Sequence, residues 1–279
     1  MHKFEKLDIK VFDAFIQKFA NKYLDQRSYA NFNFSELDDK LFADVGFSTD
    51  DLKRIIKQNA VAVDLKREQG LQPDVVHDIY RSDLGELLMT YYFEEKLPEG
   101  ERFIIPLKNI SFRERADMPG RGLDAIGYQC DGTKVNILLG EAKVSSEKKS
   151  PPKVVDYNGD SIYETHKKYK DNPPTVIQRL SEYCKRLNAK DAQILGFAII
   201  SMQHNLAEHY SITYGCTLIR DYDCVDGEND FGKLKINSTE FEPNNVHFSV
   251  LSFCNKTIDE TVTEFYRKVQ ELITNPANE

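Results

Sequence analysis

"KVNILLGEAKVS", residues 134–145, is the stretch on which the fold turns. Asn136 to Leu139 has strand character, and the run passes straight into Glu141-Ala142-Lys143. Strand side chains alternate between faces, so Ile137, Leu139, Glu141 and Lys143 share one face. An acid and an ammonium group therefore stand in line with core aliphatics. A lone charge inside a sheet is strongly unfavourable, so it requires a partner or a metal.

The preceding segment supplies a partner. Asp131-Gly132, between "GLDAIGYQ" (122–129) and this strand, is a hairpin turn signal. With a tight turn there, Asp124 and Glu141 lie about equally far from it and become cross-strand neighbours. Two carboxylates and a lysine at a sheet end suit a hard cation. Mg²⁺ binds few protein carboxylates, keeps several waters and takes substrate phosphates. A metal so held activates water and stabilises a phosphate oxyanion. A neighbouring lysine orients the water or offsets developing charge.

Outward from this strand, "DIYRSDLGELLMTYYFEEKL" (78–97) predicts a helix with Leu84, Leu87, Leu88 and Tyr91 in one stripe, followed by Pro98. "RFIIP" (102–106) predicts a short strand. Residues 145–160, rich in Ser, Lys, Pro and Gly, predict a loop. A helix is expected from Pro173-Pro174 to about Leu187, since proline is tolerated in a first turn. "AQILGFAIISM" (192–202) reads as a buried strand, and "VHFSVLSFC" (246–254) as another. The tail forms an amphipathic helix with Ile258, Val262, Phe265, Val269 and Leu272 on one side. At the other end, "DIKVFDAFIQKFANKYL" places Val11, Phe12, Phe15, Phe19 and Leu24 at helical spacing. A further helix opens at the cap residues Ser48, Thr49 and Asp50 and stops at Gly70. The middle of the chain runs helix, strand, strand, strand, helix, strand, which predicts an α/β fold with a mixed sheet flanked by helices. Residues 1–75 are expected to be a helical N-terminal extension, 76–205 the core, and 206–279 a C-terminal strand and helix packed on it.

Composition narrows the function. The 279 residues are enough for one large domain or a core with additions. The net charge of −8 argues against coating DNA by bulk charge, yet leaves room for a local basic cleft. No apolar run is long enough for a membrane span, and the N-terminus lacks a signal peptide's apolar stretch. Five scattered cysteines without a CxxC pair read as reduced thiols of a cytoplasmic protein. The six histidines form no triad or ligand pattern, and no phosphate-binding Gly-x-x-x-x-Gly-Lys loop occurs. ATP hydrolysis, if required, falls to a partner.

Asp124 followed by Glu141-x-Lys143 at the end of an apolar strand resembles the PD-(D/E)xK nuclease superfamily, with Leu123 where many members have proline. "SDLGELL", "IPLKNISFRERADMPGRGLDAIGYQ" and "LLGEAKVS" are together similar to the HamA family, the nuclease subunits of Hachiman anti-phage defence. The likeness covers roughly residues 75–205. It implies a PD-(D/E)xK restriction-endonuclease-like core that degrades DNA with Mg²⁺ or Mn²⁺. It also implies a heterodimer with a superfamily-2 helicase of the HamB kind. Mapped onto this chain, Glu86, Asp124 and Glu141 bind metal and Lys143 is the catalytic lysine, with Asp83 the alternative helix carboxylate. Some relatives carry Gln-x-x-x-Tyr on the following helix; here Gln178 and Tyr183 are five apart. Arg113, Arg115 and Arg121 are candidate DNA contacts because the guanidinium fork suits phosphate. Gln178 and the loop lysines Lys148, Lys149 and Lys153 are further candidates. The chain carries six other Glu-x-Lys or Asp-x-Lys pairs, such as Glu94-x-Lys96 and Asp64-x-Lys66, which read as solvated charge. A competing reading makes the chain a catalytically silent subunit that binds and restrains a helicase, as its acidic surface suits partner binding. A standalone sequence-specific endonuclease ranks behind the nuclease subunit of a complex, since no separate DNA-reading module is visible.

Overall fold

The computed structural model describes residues 1–10, 12–28, 37–60, 73–113, 122–157 and 159–274. The chain divides into two compact units. Met1–Lys10, Gly85–Asn109 and Arg121–Ile258 form the first; Val11–Leu84, Ile110–Gly120 and Asp259–Glu279 form the second.

The first unit is built on one six-stranded sheet. Its strands are β1 (Lys3–Ile9), β2 (Ile104–Lys108), β3 (Ala125–Cys130), β4 (Val135–Ser145), β5 (Tyr210–Arg220) and β6 (Asn245–Phe253), in the order β1-β6-β5-β4-β3-β2. β2, β3 and β4 form an antiparallel meander. The predicted turn between β3 and β4 is present: Gly132 adopts φ +95°, and Asp131 Oδ1 accepts from the Thr133 and Lys134 amides at 3.1 and 2.8 Å. β5 pairs parallel to β4, β6 to β5, and β1 to β6. A parallel pair needs a crossover. That between β4 and β5 contains α5 (Lys153–Asp156), α6 (Ile162–Asp171), α7 (Pro173–Cys184) and α8 (Ala189–Gln203). The short α9 (Gly232–Ile236) lies between β5 and β6.

Strand alternation gives β4 two different faces. Leu138, Gly140, Ala142 and Val144 face α4 (Pro73–Tyr91), which continues as a π-helical turn over Tyr92–Lys96 before Pro98. Glycines allow the close approach. A Cβ on Gly85 would come within 2.9 Å of Val144 Cγ2, and one on Gly140 within 3.0 Å of Met89 Sδ. The other face carries Ile137, Leu139, Glu141 and Lys143, beside Tyr214, Cys216 and Leu218 of β5. The α6 residue His166 packs on it, its ring centroid 5.5 Å from that of Tyr214. With both faces covered, β5 is buried almost throughout, as a central parallel strand should be.

Two expectations need correcting. Residues 192–202 are not a strand but lie in α8, and β5, eight residues further on, takes the place beside β4. A continuous apolar run does not by itself distinguish strand from helix. Here Asn188 caps the helix by accepting from the Asp191 amide at 3.0 Å. Only Leu195, Ala198, Ser201 and Met202 are buried, at helical spacing, while Phe197 and Ile200 are 43% and 59% exposed. The first ten residues, expected to begin a helical extension, contain β1. Its seven residues pair in register with β6, from Lys3 against His247 to Ile9 against Phe253. That register depends on a partner some 240 residues away, which local periodicity does not report.

The second unit contains α1 (Phe12–Ser28), α2 (Asp39–Ala43), α3 (Thr49–Asn59), the N-terminal part of α4 and most of α10 (Ile258–Thr274). α3 opens as predicted: Ser48 and Asp51 form a capping box, each side chain accepting from the other's amide. It ends at Asn59, with Ala60 as its C-cap, rather than running on to Gly70; Gly70 itself, like Val11, lies outside the described residues. Tyr23 meets Phe265 edge-on at 5.6 Å, and Tyr80 stacks on Tyr266 at 3.6 Å. Arg27 donates to the carbonyls of Ala60 and Ile110 at 3.1 and 2.9 Å. Among the described residues, no helix is long and apolar enough to cross a membrane.

Candidate active site

The site is assembled by the β3–β4 register. Ala125 pairs with Gly140, so the next antiparallel step sets Asp124 against Glu141. Backbone hydrogen bonds fix Asp124 there: its amide donates to Gly140 O at 3.1 Å, and its carbonyl accepts from the Asn109 amide at 2.8 Å. Its carboxylate is also oriented, because Oδ2 accepts from the Ala142 amide at 2.7 Å. Asp124 thus binds the backbone of the residue between Glu141 and Lys143.

Lys143 Nζ lies 3.0 Å from Glu141 Oε1 and 2.8 Å from Asp160 Oδ2. Asp160 lies in the loop just before α6. Glu141 is only 5% exposed. Burial pushes its carboxyl up to about 8, and the negative charge of Asp124 adds to the rise against the opposing pull of Lys143. Burial acts against the Lys143 ammonium, but Glu141 and Asp160 outweigh it and raise its pKa to about 12. Lys143 is therefore a fixed cation at neutral pH. His166 beneath it is held neutral: burial lowers its pKa to about 3.

The wall of the site comes from the crossover helices. A Cβ on Gly122, at φ +97°, would sit 3.2 Å from Tyr183 Oη and 3.6 Å from Arg179 Nη1. These two α7 side chains therefore lean on the turn leading into Asp124. Tyr169 of α6 has its phenol pKa raised, first by burial; Arg179 opposes this and Glu141 adds to it. Asp160, Tyr169 and Arg179 carry no sequence signal that marks them for the site. The four-residue spacing of a polar residue and a tyrosine is present on α7, but between Arg179 and Tyr183. Val176 and Leu180 are the helix's buried positions. Residue 178 projects about 200° round from Val176 and residue 179 about 60° to its other side, at 100° per residue. Gln178 accordingly points away from the buried stripe and is exposed.

The structure brings Asp124, Glu141 and Lys143 together. Glu86 is buried, at 3% exposure. It follows Gly85, whose close neighbours are Ala142 and Val144, on the reverse face of β4 from Glu141 and Lys143. Arg113, a candidate DNA contact, forms an ion pair with Asp83 in which both side chains are 1% exposed. Tyr266 donates to the same Asp83 carboxylate at 3.0 Å. Both charges are thus committed inside the second unit. Arg115 and Arg121 lie outside the described residues. Lys148, Lys149 and Lys153 lie on the segment after β4, which the buried Arg220 braces by donating to Lys149 O at 3.1 Å.

Among the described residues, no group of three or more His, Cys, Asp and Glu side chains has metal-holding geometry. The acidic pair Asp124 and Glu141 nevertheless suits a cation that brings its own waters. Two adjacent carboxylates, one nearly sealed from water, are each stabilised as anions by a positive charge between them. No curated protein matches this chain. A family model described as HamA matches residues 4–269, nearly the whole length.

Proposed function

This chain belongs to the HamA family and so to a Hachiman defence system, and we propose that it is that system's metal-dependent deoxyribonuclease subunit. The observation that carries the reading is the backbone-anchored apposition of Asp124 with Glu141 and Lys143 at the end of β4. The element order supports a PD-(D/E)xK core: α4, the antiparallel β2, β3 and β4, a helical crossover, then β5 parallel to β4.

In this reading Asp124 and Glu141 hold Mg²⁺ or Mn²⁺, and Glu86, on the far side of β4 from Lys143, is not counted among the ligands. When bound, the metal supplies a Lewis acid for the scissile phosphate and an acidified water. The chain's own groups do the rest. Lys143, cationic at neutral pH, holds the attacking water or offsets charge on the phosphate oxygens. Asp124 keeps its rotamer through the Ala142 amide. Arg179 and Tyr183, beside Gly122, offer donors to the DNA backbone entering past Asp124. Lys148, Lys149 and Lys153 extend a basic rim on a chain that is otherwise acidic. Phosphate contacts of this kind position DNA without reading its sequence. The partner in this reading is a superfamily-2 helicase, which supplies the ATP hydrolysis for which this sequence has no loop.

The test is cleavage by the complex. The chain, co-purified with its helicase, is incubated with linear DNA, ATP and Mg²⁺ beside the Glu141→Ala/Lys143→Ala variant. Degradation by wild type and none by the variant is the expected result. A complex that forms normally yet never cuts would instead support the catalytically silent, restraining subunit.

A further inference from the structure

Asp160 makes the shorter of the two carboxylate contacts on Lys143, at 2.8 Å against 3.0 Å for Glu141. The two acids differ sharply in setting. The Glu141 side chain is 6% exposed and the Asp160 side chain 88%. Glu141 is part of the sheet, whereas Asp160 reaches the ammonium from the solvent side.

Local backbone chemistry puts it there. Gly159 adopts φ +106°, a conformation that favours glycine, and so turns the chain immediately before Asp160. Ser161, immediately after, caps α6 by accepting from the Glu164 amide at 3.2 Å. Ser161, Ile162 and Tyr163 are buried, which anchors the segment. Asp160 is therefore held between a turn and a helix cap, with its solvent-exposed carboxylate against Lys143.

A substrate entering from solvent would meet that exposed carboxylate. The other flank of the ammonium is occupied by Glu141, and the sheet and α6 close the site from beneath. A phosphodiester and a carboxylate are both oxyanions that accept from an ammonium at the same distances. They cannot occupy one donor position together. An exposed ion pair of this kind is held only weakly, so it can be exchanged without disturbing the fold.

We propose that Asp160 is an intramolecular stand-in for the scissile phosphate. It occupies and orients Lys143 in the DNA-free chain, and it must release the lysine when DNA enters. Asp160 is thus a positioning residue for Lys143, and its carboxylate marks the phosphate subsite. This rests on the nuclease reading above.

The experiment measures DNA binding rather than cutting. A fluorescein-labelled duplex is titrated with the full chain, with Ca²⁺ in place of Mg²⁺, across a salt series. Wild type is compared with Asp160→Asn, Asp160→Glu, Lys143→Gln and the Asp160→Asn/Lys143→Gln double variant. Asp160→Asn keeps the shape and loses the charge. It should bind about threefold to fivefold more tightly at low salt, the range an exposed ion pair commands. Its salt dependence should steepen by about 0.9 in log–log slope, the value for one additional phosphate neutralised. Asp160→Glu should match wild type, and the tighter binding should vanish once Lys143 is replaced.

Tighter binding that survives Lys143→Gln would mean that Asp160 merely repels DNA, and it overturns the proposal. Weaker binding of DNA or of Ca²⁺ by Asp160→Asn would make Asp160 a metal ligand, which also overturns it. A wild type that cuts DNA while Asp160→Asn binds just as wild type does removes this inference and leaves the nuclease intact. A wild type that does not bind DNA at all overturns this inference, while the nuclease reading is decided separately by cleavage in the helicase complex.

Discussion

At the residue scale, Glu141 is the side chain whose behaviour is most constrained by its surroundings. Burial first, and Asp124 second, raise its pKa from 4.5 to about 8. The native state then binds more protons than the unfolded chain between those values. Stability contributed by the neutral acid is present at low pH and is lost as pH rises from about 4.5 to about 8. Glu141→Gln keeps the shape without the charge. Without metal it should be more stable than wild type at pH 8 by on the order of 2 kcal/mol, and nearly equal to it at pH 5. Urea unfolding at the two pH values checks this; equal differences at both would refute the assignment. Millimolar Mg²⁺ should raise the melting temperature of wild type and leave Glu141→Gln unchanged. The trio Asp124, Glu141 and Lys143 was legible in the sequence because strand alternation and one tight turn decide it. Asp160 was not legible, because a loop carboxylate seventeen residues after Lys143 has no period that ties it to a strand.

At the element scale, α8 shows how composition misleads. From Ala192 to Ala207 the sequence has no Asp, Glu, Lys or Arg, and such a run suggests a strand buried on both faces. Its burial is helical instead. Leu195 is wholly buried, whereas Ile200 is 59% exposed. Leu195→Ala should therefore cost about 2–5 kcal/mol, and Ile200→Gln should stay within about 0.5 kcal/mol. Denaturant titration of both variants decides the matter; an equal, large cost at the two positions would mean a segment buried on both sides. The glycines of the sheet teach the same lesson from the other side. Gly85, Gly140 and Gly215 look like weak points in a helix and two strands. The structure uses them to bring α4 against β4 and β5, with Phe93 within 3.0 Å of where a Gly215 Cβ would be.

At the scale of the whole molecule, the N-terminal ten residues belong to the sheet of the first unit. β1 covers the edge of β6, whose residues from Val246 to Phe253 are buried. An uncovered edge invites pairing with other chains. Deleting residues 1–10 should therefore lower the urea midpoint and cause aggregation, seen as rising light scattering at micromolar concentration. A truncated chain that stays monomeric with an unchanged midpoint would show that β1 is dispensable. For the same reason, a truncation that begins near residue 76 removes a strand of the sheet as well as helices. In the proposed function, the acidic balance of −8 would leave DNA binding to local groups such as Lys143, Arg179 and the lysines after β4.

The hairpin, its two carboxylates and its lysine, the helix before it, the capped start of α3 and the amphipathic α10 follow from local sequence. Each is decided by interactions within about twenty residues, where periodicity, turn chemistry and caps act directly. Long-range packing sets β5 rather than residues 192–202 beside β4, places β1 at the far edge, and buries Arg113 against Asp83. The same packing brings Asp160 and Arg179 to the site. Those outcomes depend on which distant backbone or charge satisfies a given group, and pairing across such separations leaves no periodic trace in the chain.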